Sequence, residues 1–449
     1  MQLLNVHHRQ LLKLGAPLAV GQIGILIQTF ADDIMVGQYG TYELAAAGFV
    51  NSIFGTVLFL LTGFAFGFTP LLSGHFGRGE HRALAALFKQ GLMLSTLFNG
   101  LLLLAMLGLY RWGFPNMVSD PKLLPYVSDF FWPIWVSMLF LSVFQYLRQL
   151  PDVCLDTKVG MWLLIVGNVV NLLGNWLLIY GVGPFPEWGL FGAGVATLVS
   201  RVVMLVGLVS VLIGRTRYRE YLMQMRGVAI QWGKFMRWIG QCLPVALQMG
   251  MESSVFTIAT IMAGQISTET MAAFRVMMSV SLLGYLLYVS FAQSTSLRIG
   301  TAAGQADWEA VAGNAKAGRD INIVLALLVS AFLWFEGDVV IGLFTDDAKV
   351  FALAVATMSA MIVYQISDAI QVTLAQSLRG LSHVRSMMVM GFVGYFVVGI
   401  PASYWLGVVW LENVAGLLLG LTLALISSSL LYWWRLNRVI DNKEIGFQG

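Results

Sequence analysis

Residues 248–264 read QMGMESSVFTIATIMAG, an apolar run of helix length that carries one carboxylate, Glu252, near its middle. An ionisable side chain at bilayer depth is costly unless a cavity or a partner receives it, so Glu252 reads as functional. The run leads into IMAGQ at 261–265, and IMVGQ stands at 34–38, 227 residues earlier. The same offset pairs Pro17 with Pro244, Ala19 with Ala246, Gly37 with Gly264 and Thr41 with Thr268. It also pairs Phe64 and Ala65 with Phe291 and Ala292, and Gly77 with Gly304; no gap is needed from Pro17 to Glu80. The intramembrane acids do not pair: Asp32 falls opposite Ala259 and Glu252 opposite Ile25. The chain is therefore read as two copies of one scaffold with unequal chemistry.

Of the 449 residues 58% are hydrophobic and 11% charged, too few charges to cover a soluble protein of this length. Twelve apolar runs of spanning length fall at 12–36, 44–72, 84–110, 124–147, 160–181, 190–214, 236–264, 271–297, 321–345, 350–378, 387–408 and 413–434. Continuous runs of this kind exclude a β-barrel, whose strands are short and alternate. The expected fold is an all-α polytopic membrane protein with twelve transmembrane helices in two six-helix lobes. Six spans per lobe return each copy to its starting side, so the repeat is parallel, with a pseudo-two-fold axis along the membrane normal. Lobes are expected at 1–214 and 236–449, joined by a basic tether at 215–235 lying on the anionic leaflet.

Most of the 26 Lys and Arg residues fall at the termini and in every second loop, which places both termini in the cytoplasm. The net charge of +3 then reflects topology and gives no argument for nucleic acid. MQLLNVHHRQLLKLGAP at the N-terminus lacks the short apolar core and cleavage site of a removable signal, so the first span is expected to stay. Cys154 and Cys242 lie at cytoplasmic positions and imply neither a disulfide nor a thiolate metal site. No phosphate-binding loop and no zinc-spaced His/Cys set appears, so an enzyme is not expected and no cofactor is implied.

Several polar groups stand inside the spans. Asp32 and Asp33 lie toward the outer end of span one, about 100° apart on the helix, so at most one faces the bundle squarely. Asn171 and Asn175 share a face of span five, and span six carries Thr197; such oxygens either complete a cation site or join helices. Arg201 follows in span six, positioned to neutralise Asp32 or to snorkel. Span ten brings Tyr364, Asp368 and Gln371 onto nearly one stripe, more polarity than packing requires. Glu252 and Asp368 have no basic residue at comparable depth in their half of the sequence. They must keep a proton or bind a metal cation through hard oxygens.

These residues resemble the multidrug and toxic compound extrusion (MATE) transporters, bacterial NorM-like branch, over nearly the whole chain. The matching segments are Asp32 to Gly37, Asn171 to Asn175, Gly194 to Thr197, Met251-Glu252 and Tyr364 to Asp368; Gly174 stands where relatives often have Pro. The resemblance implies a twelve-helix antiporter of the bacterial inner membrane, exporting varied, often cationic drugs in exchange for Na⁺ or H⁺ and so conferring antibiotic resistance. It assigns Glu252, Asp368 and Tyr364 to a second-lobe cation site, with Glu252 and Asp368 as metal ligands. Asp32, Asn171, Asn175 and Thr197 become a first-lobe cluster for drug or proton. Beyond its small-molecule substrates and the lipid bilayer no partner is expected, and the chain is read as a monomer. Two other readings fit these residues less well. A flippase for lipid-linked intermediates needs several cations in its cleft, where only Arg201 lies deep, and a channel or receptor needs a repeated ring of charges that the unequal halves lack.

Overall fold

The computed structural model describes residues 5–118 and 120–446. The ends expected on the cytoplasmic side, 1–4 and 447–449, lie outside the described residues. Among the described residues the secondary structure is helical, with no strand. Eleven helices among the described residues are long and apolar enough to cross a membrane. A twelfth is reached if Ala348–Ala356 and Met358–Gly380, set at 55° to one another, count as one span. That bend interrupts the run expected at 350–378. It falls at Thr357, whose backbone N–H and hydroxyl both turn back to the Ala354 carbonyl, at 3.0 and 2.8 Å, and close the end of the first piece. Hydropathy carries no sign of it, because both pieces are apolar.

Pro17 and Pro244 occupy repeat-equivalent positions inside the helices Val6–Tyr39 and Trp232–Ile266. Pro401 begins a different distortion. Lacking an N–H, it sits between two wide π-helical stretches, Val393–Gly399 and Tyr404–Trp410. π-turns inside α-helices commonly mark functional positions, and Tyr395 lies in the first of these.

Contacts divide the chain into two compact units, Val20–Phe68 with Gly79–Cys242, and Leu243–Gly449 with Met1–Ala19 and Thr69–Arg78. These limits differ from a cut in the 215–235 stretch. In the second unit Leu11 and Ala19, from the start of the first helix, pack with Phe291, Ala317 and Ile321. In the first unit Gly67 lies against Cys242, so close that a Cβ on the glycine would sit 2.5 Å from the Cys242 Cα. The leading turns of each copy's first helix thus pack with the second helix of the other copy. Phe54, Phe114, Phe130 and Phe131 fill the core of the first unit. Val255, Phe274, Met277, Leu417 and Leu421 belong to that of the second. Trp334, Phe335 and Trp405 are exposed, as lipid-facing aromatics would be.

Within the second unit the short helix Thr69–Gly77 packs on the end of Thr268–Gly304 through glycines. A Cβ on Gly77 would run into the Thr301 carbonyl, one on Gly304 into the Gly74 carbonyl, and one on Gly300 into the Ser73 hydroxyl. Under the 227-residue offset Gly74 corresponds to Thr301, Gly77 to Gly304 and Ser73 to Gly300. The first two contacts therefore exchange with each other, and the third joins a residue to its own repeat mate, as a local two-fold between these segments requires. Small residues here serve close backbone approach.

The 215–235 stretch folds differently from a tether. Residues Thr216–Gln224 form a helix that buries Tyr218 and Tyr221. The Tyr218 hydroxyl donates to Asp156 at 2.7 Å, Arg217 donates to the Cys154 carbonyl at 2.7 Å, and Arg215 pairs with Asp156 at 3.0 Å. The Tyr221 hydroxyl bonds His81 Nδ1 at 2.8 Å. Basic composition hid two aromatic anchors at i, i+3. Burial beneath this helix pushes the Cys154 thiol up to about 11, and both cysteines are free.

Candidate functional site

The first polar cluster belongs to the first compact unit and joins three helices. Asn175 Nδ2, on the helix Lys158–Ile179, donates to Asp32 Oδ1 at 2.5 Å and approaches Asn171 Oδ1 at 3.5 Å. Asn171 Nδ2 donates to Thr197 Oγ1 at 3.2 Å, and Thr197 in turn donates to the Ala193 carbonyl one turn earlier. All four residues singled out in the sequence therefore meet. Gly174 permits this, since a Cβ there would come within 2.9 Å of the Ala196 methyl on the neighbouring helix. Asp33 is exposed, whereas Asp32 is partly buried, which resolves the pair as the helical angle requires. Arg201 interacts electrostatically with Asp32, while its hydrogen bond goes to the buried Ser137 Oγ at 2.6 Å. Asn175 Oδ1 is buried and finds no hydrogen-bond partner among the described residues.

The second cluster belongs to the second unit and is built around Met358–Gly380, the helix that begins after the 55° bend. Tyr364, Asp368 and Gln371 are all buried on it, with Asp368 1% exposed. Glu252, on Trp232–Ile266, lies near enough to interact electrostatically with Asp368, Tyr364 and Tyr285. Gln248 Nε2 donates to the Glu252 carboxylate at 3.1 Å, and the Tyr395 hydroxyl reaches the same carboxylate. Tyr395 is held by Gln371, whose Nε2 donates to the hydroxyl oxygen at 2.8 Å. Tyr364 hydrogen-bonds with Ser281.

One expectation fails here. Glu252 does have a basic neighbour: Arg379, 4% exposed, donates through Nη2 to Gln248 Oε1 at 3.2 Å and acts on Glu252 electrostatically. Position near the end of an apolar run made Arg379 look cytoplasmic. The helix in fact continues through Gly380, where a Cβ would come within 2.8 Å of the Ser296 carbonyl, so its last turn is packed inside protein. The spacing held the missing signal: Tyr364, Asp368, Gln371 and Arg379 recur at helical intervals on one stripe. Gln248 and Tyr395 gave no such sign. Gln248 is one of many amides in apolar runs, and Tyr395 enters only through the π-turn.

Several buried oxygens of the second unit are left without a partner. Asp368 Oδ2, Gln371 Oε1, Gln365 Oε1 and Asn322 Oδ1 find no hydrogen-bond partner among the described residues. Gln365 Nε2 donates to the Ser281 carbonyl at 3.3 Å, and Asn322 Nδ2 to Thr373 Oγ1 at 2.7 Å, so it is the acceptor end of each amide that is left over. Two carboxylates, phenols and amide oxygens form a donor set for a hard cation or a proton. Among the described residues no three His, Cys, Asp or Glu converge as a transition-metal site would require.

The sequence profile of the MatE family matches residues 17–177 and again 244–405, two copies whose starts are 227 residues apart. A probable multidrug resistance protein NorM of Geobacillus kaustophilus (strain HTA426) is 26% identical over 442 residues, covering 98% of this chain and 97% of that protein. A crystal structure of MATE in complex with MaD3S superposes with a TM-score of 0.89 at 17% identity, over 97% of each chain. So does an outward-facing multidrug resistance MATE family transporter of the MOP superfamily, with a TM-score of 0.89 at 17% identity over 97% of this chain and 96% of that one. A MOP superfamily transporter from Pyrococcus furiosus, whose binding pocket is described as having reverse polarity, gives 0.85 at 17% identity over 97% of this chain and 96% of that one. The fold and the twice-matched repeat lead to one conclusion: this multi-pass membrane protein belongs to the MatE family of transporters.

Proposed function

We propose that this transporter exports organic, often cationic, small molecules in exchange for a monovalent cation, Na⁺ with protons in competition, by alternating access in a bacterial inner membrane. The observation that carries the ion reading is Asp368, a carboxylate 1% exposed with Oδ2 unpartnered, beside a second carboxylate on Glu252. Such a group is costly in hydrocarbon unless a cation balances it, and a cation that comes and goes is what coupling needs. Glu252, Asp368 and Tyr364 hold the ion in this reading. Protons alone need no oxygen neighbours, whereas Na⁺ wants several, and Glu252, Asp368 and Tyr364 offer some of them. Asp32, with Asn171, Asn175 and Thr197, answers to drug or proton. Likeness to the probable multidrug resistance protein NorM supports the substrate class, and the distribution of Lys and Arg supports cytoplasmic termini.

The deciding experiment measures drug export by purified protein in liposomes, with Na⁺ and proton gradients imposed separately and the membrane potential clamped. An inward Na⁺ gradient is expected to stimulate export, less so as pH falls, because protonating either acid removes a ligand. Stimulation by protons with none by Na⁺ refutes Na⁺ coupling.

A further inference from the structure

We infer that Arg379, acting through Gln248, sets the charge of the Glu252 and Asp368 site so that it takes up one monovalent cation per cycle, with Asp368 as the exchanging carboxylate. This rests on the ion-coupling reading above and adds a positioning residue and a stoichiometry to it. The charged groups acting on one another here are two carboxylates and one guanidinium; the surrounding Tyr285, Tyr364, Tyr395 and Tyr432 are phenols and Gln248 and Gln371 are amides. The sum leaves one negative charge for one cation to cancel.

The two acids are not equivalent. Glu252 is engaged by the Gln248 amide at 3.1 Å and by the Tyr395 hydroxyl, and the Gln248 oxygen takes its own hydrogen bond from Arg379 at 3.2 Å. Arginine N–H into the amide oxygen and amide N–H into the carboxylate run in one direction, so the positive charge is delivered along a polarised amide. The spacer matters. A direct ion pair would fill the carboxylate with guanidinium, whereas Gln248 keeps Arg379 one residue away and leaves Glu252 only partly buried. Asp368 has no such support: its Oδ2 finds no partner among the described residues, and the charge acting on it is that of Glu252, which repels. Glu252 is thus the balanced anion and Asp368 the unbalanced one. Arg379 cannot leave this role by snorkelling, because it is buried and the turn that bears it is closed down at Gly380 against Ser296 and Ile299.

The test uses the full chain in liposomes with ethidium as the exported probe, and counts cations per ethidium from the opposing cation and ethidium concentration ratios at which net flux stops with the membrane potential clamped at zero. Wild type is expected to move one cation. Arg379→Met should raise the count to two, Arg379→Lys should keep one, and the double variant Arg379→Met with Glu252→Gln should return to one. A purely structural arginine would leave the count unmoved. An Arg379→Met protein that still moves one cation, or a wild type that moves two, overturns the inference while leaving ion coupling intact. A wild type whose export ignores every cation gradient overturns both. Should Arg379→Met fail to purify as a monodisperse protein, Gln248→Glu adds the same single negative charge without removing the arginine. It should also move two cations, and a count of one in that variant refutes the charge account.

Discussion

Replacing Asp32 by Asn separates charge from structure in the first cluster. Asn is isosteric, and its amide oxygen can still accept from Asn175 Nδ2, which now lies at 2.5 Å from the carboxylate. What is lost is the charge assistance of that bond. A hydrogen bond to a charged group contributes about 1.5–3 kcal/mol and a neutral one about 0.5–1.5, so the fold should lose about 1 kcal/mol. The functional loss is much larger. A unit charge acting on a cationic drug or proton about 4 Å away contributes about 4 kcal/mol at an effective dielectric constant near 20. At 1.4 kcal/mol per tenfold, that is on the order of a thousandfold in affinity. Asp33, exposed one position later, supplies the control, and Asp33→Asn should stay within about threefold of wild type, as exposed substitutions usually cost less than about 0.5 kcal/mol. The assay is ethidium efflux from energised cells at matched expression, with thermal unfolding of the purified variants alongside. Equal effects of the two substitutions on efflux would refute a specific Asp32 role. A large loss of stability in Asp32→Asn would show that the cluster joins helices instead.

Glu252→Gln and Asp368→Asn should each abolish ion-stimulated export while the protein still purifies as a monodisperse species; normal efflux by both would remove the second cluster from the coupling mechanism. Gly77→Ala should destabilise the chain by about 1–3 kcal/mol, because its Cβ runs into the Thr301 carbonyl, a backbone atom that cannot swing away. Gly100→Ala meets nothing within 4 Å and should be neutral in the same thermal scan, and equal behaviour of the two would contradict the glycine seam. His383 supplies a pH dependence. Burial, reinforced by the Arg435 guanidinium 3.3 Å from Nδ1, holds its imidazole below the usual range. The unfolded chain therefore takes the proton first, so stability is highest above about pH 6.5 and falls as pH drops through that value. His383→Asn should flatten this limb of a melting-temperature profile between pH 5 and 8, and an unchanged profile would assign the limb to other groups.

The sequence by itself determined where the apolar spanning segments lie, the 227-residue repeat and most of the polar residues that the helices bring together, for two physical reasons. A bilayer demands long apolar runs, which hydropathy reveals directly, and it makes every polar side chain inside such a run conspicuous. Asp32, Asn171, Asn175 and Thr197 were legible because three helices carry them at spacings that share a face, and Tyr364, Asp368 and Gln371 because one helix does. Tertiary structure alone decided the rest. Arg379 joined Glu252 only when the last turn of its helix proved to be packed inside protein, and a charge near a helix end looks the same in sequence whether it is solvated or buried. Tyr395 reached the same carboxylate through a π-turn, and the bend at Thr357 set the direction of the helix bearing Asp368; neither leaves a trace in composition. The docking of Thr216–Gln224 was masked by its charges, because two aromatic anchors contribute little to an average over a basic stretch. Periodicity and cost of burial can be read along a chain, but which distant group offsets that cost is known only once the helices are packed.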